Sequence, residues 1–311
     1  MFASTSLNNS GYYGVDDNNQ VSFDGAYEYH YDNEGNLIRR TDVASGNYVE
    51  YAWDHRNRLL GAVEHELGEG DVRGVEYTYD AHNQLIARSE WYYDGSTEKS
   101  VLVYQDGQIV LQFHRENLGS YGIGDLEVTD LTNRFLWGQA VDQLLADENV
   151  EDLFNSANND VPWPLTDHLG SIRHAVDSSG ELRLHRRFDG FGNIVAESYY
   201  DAEGDPLEPG WFGYAALAFA YTGRPYDETT VLQNNLHRWY ALKVGRWMSE
   251  DPIGFAGGDA NLYRYVVNQP INLKDPSGLF AEWAWGVAKG AAKGAYVGAV
   301  NVGQKLWAPI R

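Results

Sequence analysis

The amino-acid sequence predicts a mainly β protein: antiparallel hairpins stacked into a curved sheet or partial β-shell, followed by a short C-terminal helix. Three observations carry this. Aromatic residues alternate at period two through the first third of the chain, each run ends in an aspartate-led turn closed by Gly or Asn, and the aromatic residues include 22 Tyr and 10 Trp. Period-two alternation gives a strand one buried and one exposed face, and Tyr and Trp suit a half-buried sheet.

The first hairpin reads Tyr27, Tyr29, Tyr31, then Asp32-Asn33-Glu34-Gly35, then Leu37-Ile38. The second reads Val49, Tyr51, Trp53, then Asp54-His55-Arg56-Asn57, then Leu59-Leu60. The third reads Val75, Tyr77, Tyr79, then Asp80-Ala81-His82-Asn83, then Leu85-Ile86. A looser fourth runs through Leu102 and Tyr104, turns at Asp106-Gly107 and leaves through Ile109, Leu111 and Phe113. The turn aspartates Asp32, Asp54, Asp80 and Asp106 lie 22, 26 and 26 residues apart. A single hairpin is too small to be stable, so each gains a core by stacking on its neighbours, with Tyr29, Tyr51 and Tyr77 facing inward. The same aromatic stripe also fits a glycan-binding platform, although core packing is the commoner use of such a pattern.

Residues 133–146 read as a further strand pair. Acids, asparagines and prolines then crowd residues 147–162, which reads as an acidic surface loop or boundary. The hairpin grammar resumes with Leu182, inward-facing Leu184 and Phe188, the turn Asp189-Gly190-Phe191-Gly192 and the exit Ile194-Val195, and another turn starts at Tyr200-Asp201. Beyond Leu279 the pattern changes. Gly286, Gly290, Gly294 and Gly298 would share one face of a helix running from about Glu282 to Leu306. Glycine weakens a helix by up to about 1 kcal/mol per site, so this tail needs a surface to lie on. Lys289, Lys293, Lys305 and Arg311 give it a charge opposite to the acidic remainder, on which it would dock.

With a net charge of -22, the chain does not read as a sequence-independent nucleic-acid binder, whose phosphate contacts need clustered cations. It has no cysteine, hence no disulfide framework or thiolate metal site. Met1–Tyr13 lacks the basic and apolar regions of a signal peptide, and no stretch has the roughly 18 apolar residues of a spanning helix, so the tail is the one segment suited to a membrane surface. The nine histidines show no His-Glu-x-x-His spacing, and neither a nucleophile elbow nor a phosphate-cradling glycine loop is present. Asp16-Asp17-Asn18-Asn19 lacks the glycine and distal glutamate of a calcium loop and reads as a solvated turn.

Two copies of Asp-Pro-x-Gly stand near the end: Asp251-Pro252-Ile253-Gly254 and Asp275-Pro276-Ser277-Gly278, the second followed by Leu279. Each alone is turn chemistry. Their setting resembles the RHS repeat-associated core of the RHS/YD-repeat proteins. The matching residues are Trp163 to Arg173, Tyr221-Thr222-Gly223-Arg224-Pro225-Tyr226-Asp227, Gly245-Arg246, Ser249 to Gly254, Gly257-Gly258, Asn261-Leu262-Tyr263-Arg264-Tyr265 and Asp275 to Leu279. One departure is Tyr240-Ala241-Leu242, where many family members carry Tyr-Asp-Pro.

The resemblance implies YD-repeat hairpins over residues 1–146, the acidic loop at 147–162, the RHS repeat-associated core over 163–279 and a C-terminal tail at 280–311. It further implies a β-shell that cuts itself after Leu279 and releases a C-terminal polypeptide, as in toxin delivery. Asp251 and Asp275 would be paired carboxylates, Arg246 their electrostatic partner, and Leu279-Phe280 the scissile bond. Two acids at close range cannot both ionise, so one serves as general base while the other keeps its proton. No cofactor is implied. The partners would be the chain's own tail as cargo, another shell-forming chain or a secretion apparatus, with a secreted or cell-surface place in a bacterium. The alternative is a non-enzymatic surface module that binds glycan, in which the Asp-Pro-x-Gly phrases are only turns. Only 32 residues follow Leu279, too few for most enzymes, so the tail is assigned no activity.

Overall fold

The computed structural model describes residues 14–117, 125–155, 159–201, 204–207 and 219–283. A twelve-stranded antiparallel sheet meanders in sequence order. It comprises β1 (Gly14–Val15), β2 (Val21–Phe23), β3 (Tyr27–Tyr31), β4 (Leu37–Asp42), β5 (Tyr48–Trp53), β6 (Leu59–Glu66), β7 (Gly70–Tyr79), β8 (Leu85–Tyr92), β9 (Thr97–Gln105), β10 (Gln108–Asn117), β11 (Leu131–Trp137) and β12 (Leu144–Asn149). A four-stranded sheet follows, β13 (Trp163–Thr166), β14 (Ile172–Val176), β15 (Leu182–Phe188) and β16 (Ile194–Tyr199), again in order. A second four-stranded sheet is formed by β17 (Tyr226–Asp227), β18 (Leu232–Asn235), β19 (Arg238–Ala241) and β20 (Arg246–Trp247).

The expected turns form, and one device builds them. Asp54 donates its amide to the carbonyl of Arg58, while its Oδ1 accepts the amides of Arg56 (2.8 Å) and Arg58 (3.0 Å). Asp32, Asp80 and Asp189 repeat this with the residues two and four ahead. The residue three ahead is left-handed in each case: Gly35 at φ 80°, Asn57 at 56°, Asn83 at 67° and Gly192 at 90°. That conformation explains the closing Gly or Asn. Asp106 and Gly107, at φ 53° and 83°, make the fourth turn, with the two consecutive positive φ values of a tight primed hairpin. The stretch from Asp16 is such a turn too, its carboxylate bound to the amides of Asn18 and Gln20.

Tyr29, Tyr51, Tyr77 and Leu184 are all buried. The inner face of β2–β8 shares one core with Leu232 and Trp239 of the second small sheet and with Met248 just past its last strand, so the long sheet curves around β17–β20. Trp239 is the joint. Its ring lies 4.6 Å from that of Tyr77, and its Nε1 donates to the Tyr79 hydroxyl at 2.8 Å. A second core joins Ile109, Phe135 and Leu144 to Ile172, Ala175 and Leu184 of the β13–β16 sheet.

Two expectations need correction. The acidic stretch begins on a strand, since Asp147 to Asn149 complete β12 and Asp147 is buried. Asn133 Nδ2 binds the Asp147 carboxylate at 2.8 Å, and the chain doubles back so that the amides of Asp147 and Asn149 reach the carbonyls of Pro162 and Asp160. Burial pushes the Asp147 carboxyl up to about 7. In the tail, Glu282–Trp283 is not a helix start but a short strand, β22, paired with β21 (Leu273–Lys274). The Asp275 turn between them reverses the chain and brings the two segments alongside. The rest of the expected helix, with its glycine face, lies outside the described residues.

Candidate active site

The site begins at the tight turn between β18 and β19. Leu236 is left-handed at φ 63°, and the Asn234 side chain accepts its amide at 3.2 Å. This reversal places Asn235, His237 and Arg238 side by side at one end of the buried sheet. Asn235 and Arg238 are both buried. Arg238 stacks on the Trp247 ring with its guanidinium carbon 4.1 Å from the ring centre, which fixes the direction of the fork.

Two aspartate turns converge on that fork. Asp251 follows β20, its Oδ1 accepting the amide of Ile253 at 3.0 Å and its Oδ2 facing Arg238 Nη2 at 3.0 Å. Asp275 follows β21, and its Oδ2 lies 3.5 Å from the same Nη2. The carboxylates are therefore held on one nitrogen, on opposite sides of a 24-residue gap in sequence.

The other oxygen of Asp275 faces the expected scissile bond. Its Oδ1 accepts the amides of Gly278 (2.9 Å), Leu279 (3.2 Å) and Phe280 (3.2 Å), as well as the Ser277 hydroxyl at 3.1 Å. The approaching loop is gripped on both flanks. Asn235 Nδ2 donates to the carbonyl of Asp275 at 2.6 Å, His237 Nδ1 to that of Ser277 at 3.0 Å, and Arg238 Nε to that of Gly278. Gly278 sits at φ 72°, and a Cβ there would lie 2.6 Å from the carbonyl of Asn235. No other residue fits without moving the loop.

Burial pushes Asp275 up to about 6, against the pull of Arg238 and of its hydrogen bonds to Ser277, Phe280 and Leu279. Asp251 is also raised by burial, against Arg238. Burial lowers Arg238, and the two aspartates counter it. One cation thus faces two carboxyls, and charge balance is reached when one of them keeps its proton.

Of the residues expected from the sequence, the structure brings Asp251, Asp275, Leu279 and Phe280 together. Arg246 goes elsewhere. Its guanidinium binds the carbonyl of Asn19 and, at 3.3 Å, the side chain of Asn261, and it lies near the Tyr263 ring. On β20 it opposes Ala241 of β19 and extends toward the β1–β2 turn, whereas the alternation along β19 puts Arg238 on the aspartates. Sequence reasoning missed Arg238, Asn235 and His237. Their signal was the density of polar residues from Gln233 to Arg238, interrupted only by Leu236, in a segment flanked by apolar residues, because buried polar groups are mostly hydrogen-bonded and so point to partners elsewhere in the chain.

A family model for the Teneurin YD-shell matches residues 144–271, a span that includes Arg238 and Asp251 and stops short of Asp275. The chain is 25% identical to the double-stranded DNA deaminase toxin A of Burkholderia cenocepacia, over 89% of this chain and 23% of that protein. It is 27% identical to the toxin protein Tse5 of Pseudomonas aeruginosa, over 84% of this chain and 19% of that one. It is 28% identical to the toxin subunit YenC1 of Yersinia entomophaga, over 81% of this chain and 28% of that one. It thus spans less than a third of the length of each of these relatives. Among solved structures, the TcdB2-TccC3-TEV crystal structure superposes at a TM-score of 0.55 with 17% identity, over 81% of this chain and 13% of that one, a likeness of fold.

Proposed function

We propose, from the premise that the chain is an RHS/YD-repeat protein, that it closes a YD-shell and cuts itself between Leu279 and Phe280 to release a C-terminal polypeptide. The observation that carries this reading is the position of Asp275: one oxygen shares Arg238 with Asp251 while the other holds the amides on both sides of the bond.

Asp251, as the ionised member, takes a proton from a water whose oxygen adds to the Leu279 carbonyl carbon. Asp275, as the protonated member, gives its proton to the Phe280 nitrogen as the C–N bond breaks. The products are a carboxylate-ended shell and a free amino terminus, and no cofactor takes part. Arg238 is a positioning residue: it keeps both carboxyls on one nitrogen and registers the loop through the Gly278 carbonyl. The bond is part of the same chain, so the reaction gains a high effective molarity and a modest dyad suffices for one turnover.

Names of relatives such as toxin protein Tse5 and toxin subunit YenC1 support a place in bacterial toxin delivery, secreted or at the cell surface, with the released segment as cargo and further shell-forming chains as partners. The test is the intact mass of the purified chain. Cleavage gives one fragment ending at Leu279 and one beginning at Phe280. A folded wild type that stays full length returns the Asp-Pro-x-Gly phrases to turns and favours the glycan-binding module, which a glycan array would then probe.

A further inference from the structure

A second polar site lies at the other end of the β17–β20 unit. A cavity of about 220 Å³ separates β4–β7 from the turns after β17 and β19. Three cations from three elements line it, Arg40 of β4, Arg73 of β7 and Lys243 of the β19–β20 turn, together with Thr229, Thr230 and one acid, Glu64. Glu64 is committed to Arg73 at 2.6 Å. Among the described residues, neither Arg40 nor Lys243 has a carboxylate at ion-pair distance. Arg40 Nε is buried without a hydrogen-bond partner in the protein, and the guanidinium is held 4.9 Å from the centre of the Tyr27 ring. Lys243 is exposed at the mouth.

Such a concentration of positive charge is unexpected in a chain of net charge -22. Here the cations lining the cavity outnumber its one acid by two, and a buried donor without a partner there is destabilising. An oxyanion would supply both the acceptor for Arg40 Nε and the missing charge. The volume admits a phosphate or a short dicarboxylate but is below the roughly 300 Å³ at which pockets for drug-sized ligands begin.

We infer that the cavity bounded by Arg40, Arg73 and Lys243 is a binding site for a small oxyanion of the phosphate or carboxylate class. The inference does not rest on self-cleavage. Titration calorimetry of the full chain with inorganic phosphate, at constant ionic strength, tests it. Saturable one-to-one binding is expected, weakened about tenfold or more by Arg40→Gln and less by Lys243→Gln, with Lys99→Gln, a substitution on β9, leaving it unchanged. Lys243 is exposed, so its substitution keeps the test valid if Arg40→Gln fails to fold. Absence of saturable binding to wild type would overturn the assignment, as would binding that survives the Arg40→Gln/Lys243→Gln double variant or is weakened equally by Lys99→Gln.

Discussion

Asp177, at the turn between β14 and β15, and Asp275, beside the Leu279-Phe280 bond, begin from the same local chemistry and end with opposite acidities. Each receives backbone amides from residues just ahead on Oδ1, and each has an arginine on Oδ2. Asp177 is held well below the usual carboxylate range by the Ser179 hydroxyl, the amides of Glu181 and Ser179 and an arginine of its own, Arg183. Burial pushes Asp275 up to about 6, against Arg238 and the hydrogen bonds from Ser277, Phe280 and Leu279. The turn motif therefore does not set an aspartate's acidity. The depth of burial, weighed against the donors and cations around the carboxyl, sets it.

The largest expected effect tests that contrast directly. Asp275→Asn or Asp251→Asn should each slow cleavage by about 10²–10⁴-fold, the usual worth of a positioned acid or base. The double variant should do no further harm, because the two act as one unit. Asp177→Asn should cleave like wild type. Intact-mass time courses read all four, and full cleavage in Asp275→Asn would break the comparison.

Next comes the joint between the outer sheet and the inner unit. Trp239→Ala removes the ring packed on Tyr77 and should destabilise the protein by about 3–5 kcal/mol, as measured by urea unfolding. Cleavage should fall with it if the site depends on the inner sheet being seated. A loss below about 1 kcal/mol would mean that the two layers hold independently.

The raised pKa of Asp275 should also be visible in stability. A carboxyl whose folded pKa is raised contributes stability that is fully present below its unfolded value and is lost as pH rises through the folded value. For Asp275 the window runs from about the unperturbed aspartate value of 3.9 up to about 6. In the non-cleaving Asp251→Asn background, stability should fall across that window, and adding Asp275→Asn should flatten the slope. Asp147, raised to about 7, acts with the same sign over a wider range and is removed by Asp147→Asn. In wild type, cleavage should be bell-shaped in pH, because one acid must be charged and the other protonated.

Smaller effects mark the ordinary caps. Asp54→Ala leaves the amides of Arg56 and Arg58 without their acceptor and should cost about 1–2 kcal/mol, with cleavage retained. The smallest effect on cleavage is expected from Arg246→Ala, whose guanidinium binds Asn19 and Asn261, whereas Arg238→Gln should slow the cut markedly. Slower cleavage in Arg246→Ala than in Arg238→Gln would return the electrostatic role to Arg246.

Most of the outer architecture was legible in the sequence, because it is local. Period-two aromatics and an aspartate three residues before a Gly or Asn specify strand, turn and inward face within about ten residues, so the hairpins at Asp32, Asp54, Asp80 and Asp189 and the burial of Tyr29, Tyr51 and Tyr77 could be read directly. The two Asp-Pro-x-Gly turns were legible for the same reason. The residue that joins them was not. Arg246 stands next to the first motif in sequence, but strand alternation and the reversal at Leu236 place Arg238 between carboxyls 24 residues apart. The acidities were equally out of reach, since a carboxylate's pKa depends on solvent exclusion and on charges brought near by the fold. Only the seating of β17–β20 inside the curved sheet decided that Asp275 is buried, that it shares its cation, and that its pKa is raised where that of the turn aspartate Asp177 is lowered.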